Sequence, residues 1–220
     1  RQLFAVATFS VLGLVTFRAA WMASFIYYDY PNEFLVYAHA TNGTKEVMRA
    51  MEDISRRTTD GLRLRFAYDH KLSWPGAWYF RQYPNAVYMG ESPTLQVMEN
   101  ATVVLVGDEN RNVVEPLLED RYQRFDFKRM WWPMQEYFGM TATRMVDLFD
   151  MTDPQSAQMR HGMWDIFWQR DYTKFGEATG RTFTFDRWPV AENMYMYVRK
   201  DVAAQVWPYG IGDGSVLNPI

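Results

Sequence analysis

The sequence of 220 residues contains no cysteine, which excludes disulfides, thiolate catalysis and cysteine-ligated metal sites. It has only three histidines, His39, His70 and His161, and their spacing matches no metal-binding motif. The glycine-rich phosphate loops of nucleotide-binding proteins and the GxSxG motif of hydrolases are both missing. The formal net charge is −3 and no block of Lys and Arg occurs, so nucleic acid is not expected as a partner. We expect neither a metal nor a cofactor in this chain.

Aromatic residues, in contrast, are abundant. Phe, Trp and Tyr make up 17% of the chain, including nine tryptophans, and there are 14 methionines. This composition is typical of proteins that meet lipid, sugar or another protein. The length and a hydrophobic content of 48% are sufficient for one α/β domain with an appendage and a sizeable core.

The longest apolar segment lies at the N-terminus. Residues 3–17 carry no charge, and the run resumes after Arg18 and continues to Tyr28. A helix over the first part would be roughly 22 Å long, whereas the whole run exceeds a hydrocarbon core of about 30 Å. The pattern therefore predicts a transmembrane helix over residues 1–28, with Arg18 facing lipid headgroups or other protein. The alternatives are a secretory signal peptide, for which no convincing cleavage site follows, and a core helix of a soluble protein.

The charges that flank this segment indicate its orientation. Arg1 precedes it, whereas Asp29 and Glu33 follow it. Because basic residues favour the cytoplasmic side, residues 29–220 are expected to form an extracytoplasmic domain of a cell-membrane protein.

Alternating strand and helix patterns organise residues 29–220. The first predicted strand is the apolar run 34–40, and a helix capped by Thr41 or Thr44 follows and leads to a second strand over 62–69. These three elements predict a right-handed βαβ unit. Further strands are predicted over 86–90, 102–108, 122–132 and 193–202, and further helices over 92–100, 109–121, 141–150 and 156–170. The fold class is therefore α/β, a mostly parallel sheet flanked by helices, with an irregular tail over 210–220.

Two aromatic clusters follow predicted strands, at the edge where open α/β sheets bind ligands. The first, LSWPGAWYFRQYPNAVY over residues 72–88, is predicted to be a solvent-facing turn. The second, KRMWWPMQEYF, occupies residues 128–138. Indole and phenol rings stack on sugars, and an arginine such as Arg81 or Arg129 holds a phosphate or carboxylate. The alternative is that these tryptophans cover the sheet or lie against lipid.

The order of these motifs resembles a family of polytopic prokaryotic membrane proteins. The elements are the apolar helix, YYDYPNEFLVYAHAT, a strand ending in YD, the run WPGAWYFRQYP, and DIFWQRDYTKFG leading to MYMYVRKDVA. They resemble the C-terminal part of the flippase-activity-associated proteins, which are mannosyltransferase-like and related to protein O-mannosyltransferases. The resemblance covers nearly the whole chain, and WPxxWYxRxYP is its most specific element. YAHATNGT departs from the family pattern by lacking a Pro-Asp pair.

The resemblance implies a glycosyltransferase that takes its sugar from a polyprenyl-phosphate donor. It places the catalytic acidic residues, and any divalent cation, in a membrane part upstream of this chain, so no catalytic residue is expected here. The domain would cover the membrane active site and help to bind the lipid-linked sugar and a glycan or protein acceptor. The candidate binding residues are listed in chain order: Asp69, Trp74, Trp78, Tyr79, Arg81, Trp131 and Trp132.

Two other functional classes remain open from the residues alone. The aromatic clusters suit a membrane-tethered module that docks a protein partner in a cell-envelope complex, without transferase activity. A soluble α/β enzyme is the third reading, and it requires residues 1–28 to fold into a core. The prediction of YDH, residues 68–70, as a site at a strand end competes with an ordinary capping aspartate beside an exposed histidine.

Overall fold

The computed structural model describes residues 1–37, 39–133 and 141–207. Residues 134–138 of the second aromatic cluster and the predicted tail 210–220 lie outside them. The chain forms two compact units. Unit 1 comprises Arg1–His39 and Trp131–Ala191, and unit 2 comprises Ala40–Met130 and Glu192–Ile220.

Unit 1 begins with the predicted apolar helix. Helix α1 spans Gln2–Trp21 and continues as a π-helical turn over Met22–Ile26. These 25 residues are long and apolar enough to cross a membrane, and none of the most apolar window is buried. A length of about 37 Å follows from the helical rise. The prediction of an N-terminal apolar helix of spanning length is confirmed, although a signal sequence would meet the same criterion.

The strand predicted over residues 34–40 is wrong for most of its length. Residues 34–37 form turns, and only the two-residue strand β1, His39–Ala40, remains. The cause is local, because the Glu33 carboxylate accepts a hydrogen bond from the Leu35 amide at 3.0 Å and the Glu33 carbonyl accepts one from the Val36 amide at 3.3 Å. These bonds bend the backbone and use groups that a strand would pair with a neighbour.

Five longer strands form a mixed sheet. They are β2 Phe66–Tyr68, β3 Ala86–Tyr88, β4 Val103–Gly107, β5 Tyr122–Trp131 and β6 Ala191–Arg199. The order across the sheet is β1-β5-β6-β4-β2-β3. Strand β2 is parallel to β3 and β4, whereas β4 is antiparallel to β6, with Val103 opposite Val198 and Gly107 opposite Met194.

The prediction of a mostly parallel sheet is therefore wrong. The last strand, β6, returns into the middle of the sheet beside β4, and nothing in its own composition specifies that position. The predicted βαβ unit between the first two strands is wrong as well, because three strands separate β1 from β2 in the sheet. The parallel strands β2 and β3 are joined instead by residues 69–85, and the aromatic segment 72–88 therefore includes β3 itself.

Helices cover both faces of the sheet in unit 2. They are α2 Asn42–Thr58, α3 Ser73–Phe80, α4 Leu95–Met98, α5 Asp108–Leu118 and α9 Lys200–Val206. Alternate residues of β4 point to opposite faces. Val103 and Leu105 pack in one buried cluster with residues of α2 and α9, and Val104 and Val106 pack in another with residues of α5. Of the two predicted N-caps, Thr41 is confirmed, since its hydroxyl oxygen accepts a hydrogen bond from the Gly43 amide at 3.1 Å, whereas Thr44 lies inside α2.

The rest of unit 1 is helical with an aromatic core. Helices α6 Ala142–Asp147, α7 Pro154–Gln169 and α8 Thr173–Thr179 follow β5 in the chain. Trp131, Tyr172, Phe175 and Trp188 are all buried and form one cluster. The Tyr172 ring meets the Phe175 and Trp188 rings edge to face, and the Tyr172 and Trp188 centroids are 5.2 Å apart.

Candidate functional site

The aromatic segment that begins at Leu72 is a helix rather than the predicted turn. A short 3₁₀ helix, His70–Leu72, leads into α3, which is kinked at Trp74 before a cis peptide bond to Pro75. Phe80 is buried in the core, and Gly76 lies so close to its ring that a β-carbon would meet it at 2.4 Å. The anchored side of α3 thus leaves Trp74 and Trp78 at the surface, 61% and 68% exposed.

A groove lies between α3 and α2. Trp78, Tyr79 and Arg81 line it from α3 and the residue that follows it. The lining side chains contributed by α2 are Met48, Arg49, Glu52 and Arg56. Its volume is about 310 Å³, at the lower end of the range for pockets that bind small molecules. We call it the α2–α3 groove.

The groove is positively charged. Three arginines, Arg49, Arg56 and Arg81, face a single acidic side chain, Glu52, which leaves a net charge of +2 among the lining groups. Arg56 is paired with Glu52 at 2.6 Å. Arg49 is exposed and makes no hydrogen bond or ion pair within the part of the chain that the structure describes. Burial raises the pKa of Tyr83, at the groove wall, to about 12, so its hydroxyl remains a hydrogen-bond donor at neutral pH.

Arg81 and Trp78 form one packed unit within the groove. The guanidinium carbon of Arg81 lies 3.6 Å from the centroid of the Trp78 ring, and the same side chain donates a hydrogen bond to the Trp78 carbonyl. This cation–π contact orders both side chains. One face of the indole is therefore covered by a cation, and the high exposure of Trp78 leaves the remaining ring surface accessible to a ligand.

Asp69 lies below the surface rather than in the groove. It has no exposed area, and its carboxylate accepts hydrogen bonds from the Gly107 amide at 2.9 Å, the Asn110 side-chain amide at 2.9 Å and the Leu72 amide at 3.2 Å. It thereby joins the ends of β2 and β4 and fixes the start of the segment that carries α3. Any contribution of Asp69 to binding must come through this positioning.

A charged cluster that the sequence analysis missed surrounds this strand edge. Glu109 contacts Lys71 Nζ at 2.6 Å and His70 Nε2 at 3.2 Å. The hydrogen bond from Lys71 holds the pKa of the Glu109 carboxyl below its usual value. These residues all follow the carboxyl ends of β2 and β4, which is the signal that could have identified them. Residues 1–37, 39–133 and 141–207 contain no group of three or more metal-ligating side chains placed to hold an ion.

Arg129 is buried under Trp74. One of its terminal nitrogens donates to the Trp74 carbonyl at 2.7 Å and the other contacts Glu192. Its Nε atom is buried and has no partner among the described residues. Burial lowers the pKa of Arg129, and the side chain lines a cavity of about 20 Å³, enough for one water molecule. Arg129 therefore supports α3 from below and is not open to a ligand.

Trp131 and Trp132 belong to unit 1, at the end of β5. Trp131 is buried, and its indole nitrogen donates to the Asp29 carbonyl at 2.8 Å. Trp132 is partly buried, and its carbonyl accepts a hydrogen bond from the Trp188 indole at 2.6 Å. Both contribute to packing in unit 1. Of the seven predicted binding residues, the structure brings Trp78, Tyr79 and Arg81 together in the groove.

The groove also contains residues that the sequence analysis did not select. Arg49, Glu52 and Arg56 recur at helical spacing along α2, which is a detectable polar stripe, but the sequence does not indicate that α3 faces it. Comparisons with known proteins neither add to this geometry nor contradict it. The chain matches no protein-family model, no curated protein and no solved structure.

Proposed function

We propose that this chain is the membrane-anchored, extracytoplasmic α/β domain of a membrane glycosyltransferase that uses a polyprenyl-phosphate-linked sugar. The α2–α3 groove contributes binding of the phosphorylated sugar. The observation that carries the proposal is the combination, around one groove of about 310 Å³, of an exposed tryptophan and three arginines. Glycosyl transfer itself requires catalytic acidic residues, which the family resemblance places upstream of this chain.

The chemistry of the groove suits both halves of such a donor. Arginine guanidinium groups form charge-assisted, bidentate hydrogen bonds with phosphate oxygens, and the exposed Arg49, although attracted by the nearby Glu46 carboxylate, is open to solvent. The exposed surface of Trp78 offers an apolar platform for the C–H face of a sugar ring. Tyr79 lines the same wall, and a tyrosine there offers a phenol group for the sugar.

Helix α1 supports the lipid part of the proposal. A polyprenyl-phosphate sugar is retained in a bilayer, so a domain that binds it benefits from a membrane anchor of spanning length. The run WPGAWYFRQYP, which carries the family resemblance, forms α3 and one wall of the groove. The motif and the candidate binding surface therefore coincide in position.

A binding titration tests the proposal. The full chain in lipid nanodiscs is titrated with a short-chain prenyl-phosphate hexose, and heat release is measured by calorimetry. We expect Trp78→Ala and Arg49→Ala each to weaken binding about tenfold. Arg187→Ala provides the matched control, because Arg187 is 77% exposed in unit 1 and lies outside the groove.

One control ligand and one control variant separate the roles of the groove residues. Arg49→Ala should leave binding of the unphosphorylated prenyl hexoside unchanged, whereas Trp78→Ala should weaken binding of both ligands. Trp74→Ala tests the extent of the site, because Trp74 is as exposed as Trp78 but is not part of the groove lining. Unchanged affinity in both Trp78→Ala and Arg49→Ala would contradict the assignment.

The exposure of Trp74 favours a second function, a membrane-tethered module that binds a protein partner in the cell envelope. A large aromatic side chain outside a groove is typical of protein interfaces. The same titration distinguishes the two functions, because a protein-docking module shows no saturable binding of the prenyl-phosphate hexose, either in the wild-type protein or in any variant.

A further inference from the structure

Helix α7 carries apolar residues on two opposite faces. On the inner face, Gly162 is buried so closely against α8 that a β-carbon would meet the backbone of Phe175 at 2.7 Å. On the outer face, Met163, Trp164 and Phe167 are 42%, 59% and 40% exposed. They recur at positions i, i+1 and i+4, so they form one stripe. An amphipathic helix normally turns one apolar face to the protein core, so the exposed stripe on the other side of α7 is a second apolar face without such cover among the described residues.

Neighbouring segments of unit 1 extend this outer face. The Phe34 ring, 37% exposed, lies beside the Phe167 ring with 6.4 Å between centroids. Arg160, on the same stripe of α7, donates a hydrogen bond to the Asp150 carbonyl at 2.9 Å and so holds the segment that contains Phe149, which is 69% exposed. We call Phe34, Phe149, Met163, Trp164 and Phe167 the α7 apolar face. Contiguous exposed apolar surface of this kind marks an interaction site.

The last turn of α7 contacts the apolar helix α1. Arg18 donates a hydrogen bond to the Trp168 carbonyl, and its guanidinium carbon lies 4.3 Å from the centroid of the Trp168 ring. Trp168 in turn stacks on Trp164, with centroids 6.0 Å apart and an angle of 3° between the rings. The α7 apolar face therefore adjoins α1 at the position of Arg18, and all these contacts lie within unit 1.

The position of Arg18 sets the level of this contact in a bilayer. An arginine at the centre of a membrane helix costs roughly 3 kcal/mol on insertion scales, and the cost falls towards the headgroups. Arg18 is therefore expected near the boundary between hydrocarbon and headgroups, with its long side chain extended towards the headgroups and the apolar helix continuing past it to Ile26. Trp164 and Trp168, which are linked to Arg18, share this level, where tryptophan is enriched in membrane proteins.

We propose that the α7 apolar face lies in the interfacial layer of the lipid bilayer, so that unit 1 is attached to the membrane by α1 and by a second helix seated on its surface. This attachment is apolar rather than electrostatic. The segment before α7 contains Asp147, Asp150 and Asp153, and the hydrogen bonds that Thr152 and Ser156 donate hold the pKa values of the last two below their usual range. These charges do not favour anionic lipid. The proposal depends on α1 as the membrane span and is independent of the groove and its ligand.

Site-specific labelling of the full chain tests this proposal. Because the chain has no cysteine, Met163→Cys and Gln158→Cys each introduce a single thiol for an environment-sensitive nitrobenzoxadiazole label. Met163 and Gln158 are both exposed and lie about 140° apart around the helix. Gln158 is on the side of α7 that faces α8, where its side-chain amide lies 3.5 Å from the Glu177 carboxylate. The labelled chains are placed in phosphatidylcholine nanodiscs that contain lipids with a nitroxide on the upper acyl chain. We expect quenching at position 163 to be several times stronger than at position 158.

Three results would overturn the proposal. The first is equal, weak quenching at both positions, which means that the face is exposed to water. The second is a blue-shifted label at position 163 without quenching by lipid nitroxide, which means that protein covers the face. The third is quenching that appears only after addition of phosphatidylglycerol, which means that charge and not apolar insertion drives the contact. Phe149→Cys serves as a second reporter on the same face if Met163→Cys fails to reach the wild-type circular dichroism spectrum.

Discussion

Each of the two units contains an acidic side chain without exposed surface, and the two units compensate that charge differently. In unit 1, Glu33 is paired with Arg170, with 2.8 Å between the carboxylate and Nε and no exposure of either side chain. In unit 2, Asp69 accepts hydrogen bonds from three neutral N–H groups at two strand ends. The charge of Glu33 is balanced by a guanidinium 137 residues away, in addition to the hydrogen bond from the Leu35 amide, whereas these three donors to Asp69 carry no formal charge. Unit 1 should therefore lose more stability than unit 2 when only the charge of the acidic side chain is removed.

The largest effect is expected from Glu33→Ala. Removal of the carboxylate leaves the Arg170 guanidinium buried without its counter-charge, which typically costs about 3–5 kcal/mol. Glu33→Gln should be almost as destabilising, because it preserves the shape but not the charge. Urea unfolding of the nanodisc-bound chain, with amide hydrogen exchange across α7, measures both. Wild-type stability of Glu33→Gln would show that the charge of Glu33 is not required.

Asp69→Ala tests the corresponding position in unit 2. Its three donors lose their acceptor, and we expect a loss of about 2–3 kcal/mol, because buried unsatisfied donors are costly. Asp69→Asn retains one acceptor oxygen, so its loss of unfolding free energy should be much smaller than that of Asp69→Ala. Glu33→Gln, in contrast, should be almost as destabilising as Glu33→Ala. Hydrogen exchange at the Gly107 and Leu72 amides reports the change directly. If Asn is as disruptive as Ala, unit 2 also depends on a full negative charge, and the contrast between the units fails.

Gly162→Ala examines the packing of unit 1. The added β-carbon would lie 2.7–2.8 Å from backbone atoms of Phe175, so α7 and α8 must separate. Overpacking of this kind costs about 1–3 kcal/mol. Gly13→Ala is the matched control, because no atom lies within 4 Å of the new β-carbon on α1. The midpoint of thermal unfolding should fall for Gly162→Ala and remain unchanged for Gly13→Ala; equal midpoints would mean that α7 and α8 adapt without strain.

The smallest loss of stability is expected when the side chain that caps a helix is removed. The cap of α7, Asp153, is charged. Asp153 caps α7 by accepting hydrogen bonds from the Ser156 and Gln155 amides, and the Ser156 hydroxyl and amide lower its pKa from the ordinary value of 3.8. Since the folded pKa is the lower one, this stabilisation is complete above pH 3.8 and is lost as the pH falls through the folded value. Asp153→Ala should lower the unfolding midpoint at pH 7 by about 2–4 °C.

Thr41 provides the neutral comparison for this cap. Its hydroxyl caps α2 in unit 2, so Thr41→Ala should cause a loss that does not vary with pH. Asp153→Asn should retain the cap and remove its titration. Thermal unfolding measured from pH 6 to pH 3 distinguishes these cases. An identical acid response of wild-type protein and Asp153→Asn would exclude a contribution from the Asp153 carboxylate.

Local patterns in the sequence were sufficient for several elements of the fold. The uncharged run before Arg18 predicted α1, the five consecutive residues of β4 predicted a buried strand, and the cap of α2 was narrowed to Thr41 or Thr44, of which Thr41 is the cap. Each of these depends on residues close together in the chain. The pairing of Arg81 with Trp78, three positions apart, is equally local and was within the segment selected as a site.

Long-range contacts account for the errors. Residues 34–37 have a strand-like composition, but the turn that follows the buried Glu33 overrides it, and the partner Arg170 is not identifiable from spacing. The position of β6 beside β4 likewise depends on the whole sheet rather than on its own residues. For the candidate groove, the sequence prediction includes Trp78, Tyr79 and Arg81 of the α3 wall but not the facing stripe of Arg49 and Arg56, because helix adjacency is a tertiary property.

Arg170 limits how this chain can change during evolution. Its backbone has a φ of 60°, a left-handed conformation that glycine adopts at least cost, while its side chain supplies the cation that Glu33 requires. Glycine at position 170 would relieve the backbone strain but would leave the buried Glu33 carboxylate without a cation. Most other residues would neither favour the left-handed backbone nor supply a positive charge. Substitution at position 170 is thus tolerated only when position 33 changes with it, and the two sites are expected to mutate as a pair.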